Sequence, residues 1–303
     1  MRLIFLGTPA FAVPTLEAMA RAGQEIPLVV TQPDRPRGRG QTAAPPPVKE
    51  AAQRLGLEVY QPERVRRPEA VERLRAIAPD AMVVVGYGQI IPQNVIDLAP
   101  HGIINVHASL LPKYRGAGPI QWSILNGETR TGVTTMRIDA GLDTGDMLLK
   151  AETDIAPDET AIDLGRRLSV MGADLLVETL ARLDTISPEK QDPAQATYAP
   201  LLKKEDGRID WSRPAVVIHN QVRGLQPWPG AYTTFRDQPL HIWRTRVAPP
   251  ASTPGVRPWI VTCGEGALEL LEVQLEGRKR ISAADFANGQ RLTENDKLGA
   301  HVS

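Results

Sequence analysis

Two polar side chains able to move a proton and to donate a hydrogen bond stand close together in the middle of the chain. Asn105 and His107 flank Val106 near the end of the apolar run GIINVHAS at 102–109. If this run is a strand, alternate side chains point to the same face, so Asn105 and His107 share a face that Val106 does not. A histidine is a good proton shuttle near neutral pH, and an amide beside it can stabilise an oxyanion.

A carboxylate that could orient this histidine occurs further along the chain, at Asp143 in the glycine-rich run GLDTGD. No Ser or Cys nucleophile motif accompanies the three residues, so together they would suffice for direct attack of a bound amine on a bound acyl donor. The pattern also allows a structural interpretation, with His107 as an ordinary strand-end residue and Asp143 bonded to the backbone of its own turn. Spacing alone leaves open whether the two side chains meet.

The order of apolar and amphipathic runs predicts the elements that would position these residues. Strand-like and helix-like runs alternate in the first half of the chain, which is typical of a mostly parallel α/β sheet. Strand-like runs separated by turn residues dominate from about residue 208, which favours a small β-barrel or sandwich. We predict an α/β domain at 1–188, a linker at 189–207 and a β domain at 208–303. Open α/β sheets bind ligands at the carboxyl ends of their strands.

Composition excludes several classes of protein. The chain has 303 residues with 35 Lys+Arg and 35 Asp+Glu, so a polyanionic partner must meet a local basic patch. The single cysteine, Cys263, excludes an intrachain disulfide, and the histidines lack the spacing of metal ligands. The turn GTPAFA lacks two glycines of the dinucleotide-binding fingerprint, so we expect no nicotinamide cofactor. No apolar run of about 18 residues occurs, so we expect a cytoplasmic protein without a membrane span. No sustained heptad pattern occurs either, so we expect a monomer.

Two basic clusters are candidates for contact with nucleic acid. The run TQPDRPRGRGQTAAPPPVK at 31–49 is long for a loop between a strand and a helix, and its Pro and Gly content predicts a mobile loop. A second cluster lies in the C-terminal third of the chain. The basic residues of the two clusters are Arg35, Arg37, Arg39, Lys49, Arg278, Lys279 and Arg280. Binding of nucleic acid through phosphate neutralisation needs such patches even when the net charge is zero.

Three motifs of the chain, in their combination and order, resemble those of the 10-formyltetrahydrofolate-dependent formyltransferases. The motifs are Asn105-Val106-His107-Ala108-Ser109-Leu110-Leu111-Pro112, Tyr114-Arg115-Gly116 and Asp143-Thr144-Gly145-Asp146. The segments GTPAFAVP, TQPDRPRGRG, VVVGYGQIIP, RIDWS and LQPWPGAY extend the resemblance over essentially the full length. These segments are similar to those of family members whose acceptor is the α-amine of methionine on initiator tRNA.

The resemblance implies a Rossmann-like formyltransferase domain followed by an OB-like β-barrel that contacts tRNA. It implies 10-formyltetrahydrofolate as the formyl donor, initiator methionyl-tRNA as the acceptor and no metal. Asn105, His107 and Asp143 match the family's catalytic residues. The basic insertion loop at 33–49 would approach the acceptor stem of the tRNA. The residues expected to bind the folate are Ser109, Leu110, Leu111 and Pro112 and, at its pterin end, Tyr87, Gly88, Gln89 and Ile90.

Alternatives remain open at this point. Within the family, the acceptor could be glycinamide ribonucleotide, an amino-sugar nucleotide or water. The length of the chain disfavours the glycinamide enzymes, which generally lack a C-terminal barrel, and hydrolases usually carry a different extra domain. The basic loop favours tRNA over an amino-sugar nucleotide. Outside the family, an α/β domain with a basic barrel could bind RNA without catalysis, but such a protein would have no reason to keep Asn105, His107 and Asp143 together.

Overall fold

The computed structural model of the chain describes residues 1–37, 42–248, 259–292 and 298–299. The strands are β1 (Arg2–Gly7), β2 (Glu25–Val30), β3 (Arg35–Arg37), β4 (Thr42–Ala44), β5 (Val59–Tyr60), β6 (Ala81–Val85), β7 (Ile103–His107), β8 (Arg115–Gly116), β9 (Arg130–Arg137), β10 (Met147–Asp154), β11 (Tyr198–Ala199), β12 (Ala231–Phe235), β13 (Gln238–Val247), β14 (Trp259–Thr262), β15 (Ala267–Leu275) and β16 (Ile281–Ser282). The α-helices are α1 (Val13–Arg21), α2 (Pro47–Arg54), α3 (Pro68–Ala76), α4 (Gln93–Ile96), α5 (Pro119–Leu125), α6 (Ala161–Ala181), α7 (Ala215–Gly224) and α8 (Ala283–Gln290).

The chain forms two compact units. The first consists of Met1–Gly116, Thr131–Thr153 and Gly165–Tyr198. The second consists of Ala117–Arg130, Asp154–Leu164 and the described residues from Ala199 onward. The simpler domain limits expected from the sequence, 1–188 and 208–303, remain a prediction.

The first unit contains a seven-stranded sheet in the order β10-β9-β7-β6-β1-β2-β5. The strands from β7 to β5 pair in parallel, and β9 runs antiparallel to β7. The predicted mostly parallel α/β sheet is therefore confirmed. The chain passes from β1 to β2 on one side and returns at β6 on the other, so the strand order reverses at β1. Open α/β sheets bind ligands beside such a reversal, at the carboxyl ends of the strands.

Each face of this sheet has its own hydrophobic core. Ile104 and Val106 of β7 pack in one core, together with Leu176 of α6, and Ile103 packs in the core on the opposite face. Since side chains alternate along a strand, Asn105 and His107 lie on the face of Ile103. This confirms the prediction that they share a face and that Val106 points away from them.

The second unit contains a five-stranded sheet in the order β12-β13-β15-β14, with β16 paired to β15, and its neighbouring strands pair antiparallel. This confirms the predicted small β domain. Helix α7 was not predicted, because its Val216, Val217 and Ile218 are β-branched residues typical of strands. It forms because burial of Ile218 and Val222 in the core of this unit outweighs the weak intrinsic preference.

Two segments expected to be irregular contain regular structure. Strands β3 and β4 pair antiparallel within the basic run at 31–49, and α2 begins at Pro47. The described residues of this run therefore contain regular structure where an irregular loop was expected, and the mobility of the run remains a prediction. The predicted linker at 189–207 contains two 3₁₀ turns and β11, and it buries Gln191 and Ala199.

The described residues contain neither a membrane-spanning helix nor a cluster of metal ligands. None of their helices is both long enough and apolar enough to cross a membrane. No three of their His, Cys, Asp and Glu side chains are grouped as metal ligands would be.

Candidate active site

The candidate site is built around the carboxyl end of β7. Asn105 and His107 lie on this strand with 8% and 6% of their surface exposed. Asn105 is flanked by Val84 of β6 and Met136 of β9, so its backbone is held between two neighbouring strands. A position inside a seven-stranded sheet fixes both side chains more firmly than a loop would.

The two ring nitrogens of His107 have different surroundings. Nε2 lies 2.9 Å from the carbonyl oxygen of Tyr114. Because a carbonyl only accepts hydrogen bonds, the network assigns the Nε2 proton to this contact. Nδ1 lies 3.7 Å from Oδ2 of Asp143 and has no hydrogen bond to a described residue. Nδ1 is therefore the atom that can exchange a proton, with a carboxylate close enough to stabilise the charged ring.

Asp143 reaches the histidine from the turn between β9 and β10. Its φ of +53° is left-handed, a conformation that Asp tolerates better than most residues. Its Oδ2 accepts a hydrogen bond of 2.8 Å from the backbone N–H of Gly116. The local turn is stabilised instead by Asp139, which accepts hydrogen bonds from the Gly141 N–H and the Thr144 hydroxyl. Asp139 therefore has the turn-forming role that the sequence left open for Asp143.

The Asn105 side chain has no hydrogen-bond partner among the described residues. Most buried polar side chains in proteins are hydrogen-bonded, because an unpaired amide costs about 1–3 kcal/mol. An amide kept free on the same strand face as His107 is suited to bind a group that is not part of the protein. Its two N–H donors match the requirement for stabilising negative charge on an oxygen.

The loop after β7 has a fixed shape. The Ser109 hydroxyl donates to the Lys113 carbonyl at 2.6 Å, and the Ser109 carbonyl accepts from the Thr134 hydroxyl at 2.7 Å. The Leu111 N–H donates in turn to Thr134 Oγ1 at 3.2 Å. Ser109 and Leu111 are buried and hold the loop in this shape, and their contact with folate remains a prediction. The partly exposed residues of this loop are Leu110 and Pro112.

The segment that follows β6 divides into buried and exposed residues. Tyr87 packs in the core on the Ile103 face of the sheet. Its hydroxyl has no hydrogen-bond partner among the described residues. Burial raises the pKa of the Tyr87 phenol. The Gln89 side chain accepts a hydrogen bond from the backbone of Val65 at 2.7 Å. Gly88 and Ile90 are exposed, and Ile90 retains 90% of its surface. A ligand at this edge would therefore contact the backbone at Gly88 and the Ile90 side chain.

Two polar residues that were not predicted as site residues support this segment. The Thr8 hydroxyl and the Gln32 amide both donate to the carbonyl oxygen of Tyr87, at 2.9 and 3.2 Å. Thr8 follows β1 and Gln32 follows β2. A polar residue just after a parallel strand is the signal that could have identified both of them.

The basic residues near the start of the chain have different environments. Arg35 is exposed at the start of β3, and Lys49 lies in α2 with its Nζ 2.6 Å from Oδ2 of Asp34. The Lys49 charge is thus partly balanced by a carboxylate. Arg37 belongs to β3, but its side chain and the whole of Arg39 lie outside the described residues.

The second basic cluster lies on the surface of the second unit. Arg278, Lys279 and Arg280 are all exposed. Arg280 Nε lies 2.8 Å from an oxygen of Glu272, and its guanidinium stands 4.9 Å from the centre of the Trp243 ring. An exposed pair of this kind contributes little stability, so the arginine remains available to a polyanion.

Comparison with known proteins assigns both parts of the chain to one family. A family model described as formyl transferase matches residues 1–180, and one described as formyl transferase, C-terminal domain, matches residues 201–291. A methionyl-tRNA formyltransferase of Solibacter usitatus is 76% identical over 307 aligned positions, which cover 99% of each chain. A second one, of Koribacter versatilis, is 57% identical and also covers 99% of each chain.

Solved structures with the same fold include two formyltransferases that act on sugars or were solved with them. The sugar 3N-formyl transferase WlaRD, solved in the presence of dTDP and 5-N-formyl-THF, has a TM-score of 0.68 at 19% identity and covers 92% of this chain and 99% of its own. An N-formyltransferase of Helicobacter canadensis, in complex with folinic acid and dTDP-3-aminofucose, has a TM-score of 0.66 at 19% identity, with 93% and 100% covered. The structural likeness establishes the fold, and the full-length sequence identity establishes that the chain belongs to the methionyl-tRNA formyltransferase family.

Proposed function

We propose that the chain transfers the formyl group of 10-formyltetrahydrofolate to the α-amine of methionine on initiator tRNA, with Asn105, His107 and Asp143 as the residues that assist. The observation that supports this most directly is that two polar groups at the end of β7 have no hydrogen bond to a described residue. The Asn105 amide and the Nδ1 atom of His107 have no hydrogen bond to a described residue, and a carboxylate oxygen of Asp143 lies 3.7 Å from that nitrogen.

The first step is attack of the neutral α-amine on the formyl carbon. The C–N bond forms as the carbonyl π pair moves onto oxygen, which gives a tetrahedral intermediate with an oxyanion. The Asn105 amide donates a hydrogen bond to this oxyanion, and a protonated His107 stabilises it through charge. Donors placed in advance at a buried site are worth more than donors in water, because they need not reorganise during the reaction.

The second step is loss of the folate. The attacking nitrogen releases one proton, and N10 of the folate takes up one as its bond to the formyl carbon breaks. The oxyanion electron pair re-forms the carbonyl as the bond to N10 breaks. The His107 imidazolium donates its Nδ1 proton to N10 and then takes up at Nδ1 the proton that the attacking nitrogen releases, because its Nε2–H donates to the Tyr114 carbonyl. Asp143 stabilises the imidazolium while the proton is held. The products are formylmethionyl-tRNA and tetrahydrofolate, with no net uptake or release of protons.

The two substrates would be bound by different parts of the surface. The loop after β7, with Leu110 and Pro112 partly exposed, and the edge at Gly88 and Ile90 provide apolar surface and backbone groups for the folate. The tRNA would be bound by the two basic clusters at its phosphates. In this proposal the protein acts as a monomer in the cytoplasm.

The proposal is tested by supplying 10-formyltetrahydrofolate together with one acceptor at a time. We expect formylation of initiator methionyl-tRNA, measured by mass spectrometry of the released aminoacyl group, with a kcat/KM far above that for a dTDP-amino sugar or glycinamide ribonucleotide. Preferred formylation of the sugar nucleotide, or release of formate without an acceptor, would overturn it. Tight binding of tRNA without a formylated product would favour the non-catalytic RNA-binding alternative.

Arg39→Ala is expected to lower kcat/KM for methionyl-tRNA and to leave the KM for 10-formyltetrahydrofolate unchanged, because the arginine would neutralise phosphate and not touch the folate. Loss of one phosphate contact should also reduce the slope of log affinity against log salt by about 0.9. Steady-state kinetics over a range of salt concentrations measures both effects. The control is Arg182→Ala, which removes an arginine paired with Glu178 on α6. Equal losses for both substrates would contradict a role in tRNA binding.

A further inference from the structure

Gln191 lies in the segment predicted to be a linker, yet it is buried, with 8% of its surface exposed. The segment is fixed two residues earlier, where Glu189 and Met147 exchange backbone hydrogen bonds of 2.8 Å in each direction. Because of this pairing, the segment lies alongside the start of β10. It places Gln191 against the turn that carries Asp143.

All hydrogen-bonding groups of the Gln191 amide are used. Nε2 donates to the carbonyl oxygens of Asp143 and Gly145, at 2.9 and 2.7 Å. Oε1 accepts from Nε and Nη2 of Arg115, at 2.9 and 2.8 Å. Arg115 is itself buried, with 4% of its surface exposed, and bonds to a charged group are stronger than neutral ones. The amide is therefore held in one orientation, with its N–H groups toward the Asp143 turn.

Together with a bond from Gly116, these hydrogen bonds connect Asp143, β8 and Gln191 in a closed network. Arg115 is followed by Gly116, whose N–H donates to Oδ2 of Asp143, the oxygen that faces His107. Gln191 joins Arg115 back to the Asp143 carbonyl. The carboxylate and the backbone carbonyl of Asp143 are thus both tied to one two-residue segment, β8.

The backbone of Asp143 needs such support. Its φ of +53° is costly for a residue with a side chain, and conformations of this kind persist where surrounding contacts hold them. A Cβ atom at Gly145 would clash with the carbonyl oxygen of Arg137, so the turn is also packed closely against the end of β9. A turn confined in this way directs the Asp143 carboxylate toward His107.

We infer that Gln191 is a positioning residue for the reaction, which acts through Asp143 without touching substrate. The inference rests on the proposed role of Asp143 and extends it to a residue from the segment between the predicted domains. A purely structural residue, which only holds segments of the chain together, would contribute to the stability of the protein and not to kcat. A positioning residue contributes to kcat, and its effect depends on the presence of the Asp143 carboxylate.

The test compares Gln191→Glu with the matched control Gln195→Glu. Glutamate at 191 keeps the length and the acceptor for Arg115 but removes both donors to the turn. Gln195 lies in the same segment, is exposed and bonds only to Asp192 among the described residues. We expect Gln191→Glu to lower kcat by about 10- to 100-fold with both KM values unchanged. The control should retain wild-type kinetics.

A double variant separates positioning from a structural effect. In an Asp143→Asn background, Gln191→Glu should cause no further loss of kcat, because the charge that it positions is gone. A loss that multiplies with that of Asp143→Asn, or a wild-type kcat for Gln191→Glu, would overturn the inference. If Gln191→Glu does not fold, as judged by circular dichroism, Gln191→Asn replaces it. Asparagine keeps the amide but is one methylene too short to retain both carbonyl contacts, so the same selective loss of kcat is expected.

Failure of this inference can be told apart from failure of the proposed function. If Asp143→Asn alone keeps the wild-type kcat, the role of Asp143 is wrong and the inference falls with it. If Asp143→Asn is impaired while Gln191→Glu and Gln191→Asn are not, the role of Asp143 stands and only the positioning role of Gln191 is wrong.

Discussion

Asp143→Asn is expected to lower kcat for formyl transfer about a thousandfold while the thermal unfolding midpoint stays close to that of the wild type. Asparagine has the same size, and its side-chain oxygen can still accept the hydrogen bond that Asp143 receives from the Gly116 N–H. What is lost is the negative charge 3.7 Å from Nδ1 of His107, which the charged ring needs during proton transfer. Single-turnover kinetics with both substrates saturating measures the chemical step directly.

The chain supplies a matched control for this variant. His101 and Asp184 form a second His–Asp pair, at 3.9 Å, in which Asp184 is 86% exposed. Asp184→Asn removes the same charge from the same kind of pair outside the candidate site and should leave kcat unchanged. A near-wild-type kcat for Asp143→Asn, or equal losses in the two variants, would contradict the assignment of Asp143.

His107→Ala should reduce turnover at least as far as Asp143→Asn, and the protein should still fold. Because the two side chains act as one unit, the double variant should be no slower than His107→Ala alone. Multiplying losses in the double variant would mean that the aspartate acts independently of the histidine.

The strand that carries the site could be predicted because its features are local. Alternation along Ile103–His107 is enough to place Asn105 and His107 on one face, and the packing of Val106 in the opposite core agrees with it. The position at a strand end follows from the same run of residues. Neither conclusion depends on how distant parts of the chain fold.

The partners of these residues could not be predicted, because they come from distant parts of the chain. Asp139 and Asp143 occupy the same turn, and no pattern in the sequence tells which of them forms the turn and which reaches Gly116. Gln191 lies in a polar, Pro-containing segment that is typical of a linker, and its burial depends on the pairing of Glu189 with Met147. Such contacts depend on register between segments, which residue types alone do not specify.

Asn105→Ala is expected to lower kcat about 100- to 1000-fold, because the loss of one oxyanion donor has a cost of that size in other enzymes. The same substitution should leave the thermal midpoint close to that of the wild type. The Asn105 amide has no hydrogen bond to a described residue, so its removal breaks none. Stopped-flow kinetics and thermal unfolding on the same sample measure the two effects.

Asn220 provides the contrast that tests this reasoning. It is a buried asparagine with the same 8% exposure, but its Oδ1 accepts a hydrogen bond of 2.9 Å from the buried guanidinium of Arg223. Asn220→Ala should therefore lower the thermal midpoint, at a cost of about 1–3 kcal/mol, because it leaves a charged donor with one partner fewer. Of these two asparagines of equal burial, Asn105 should thus be needed for activity and not for stability, whereas Asn220 should be needed for stability. A stability loss at Asn105 as large as that at Asn220 would mean that the Asn105 amide is bound within the folded protein, and it would no longer be the donor reserved for the oxyanion.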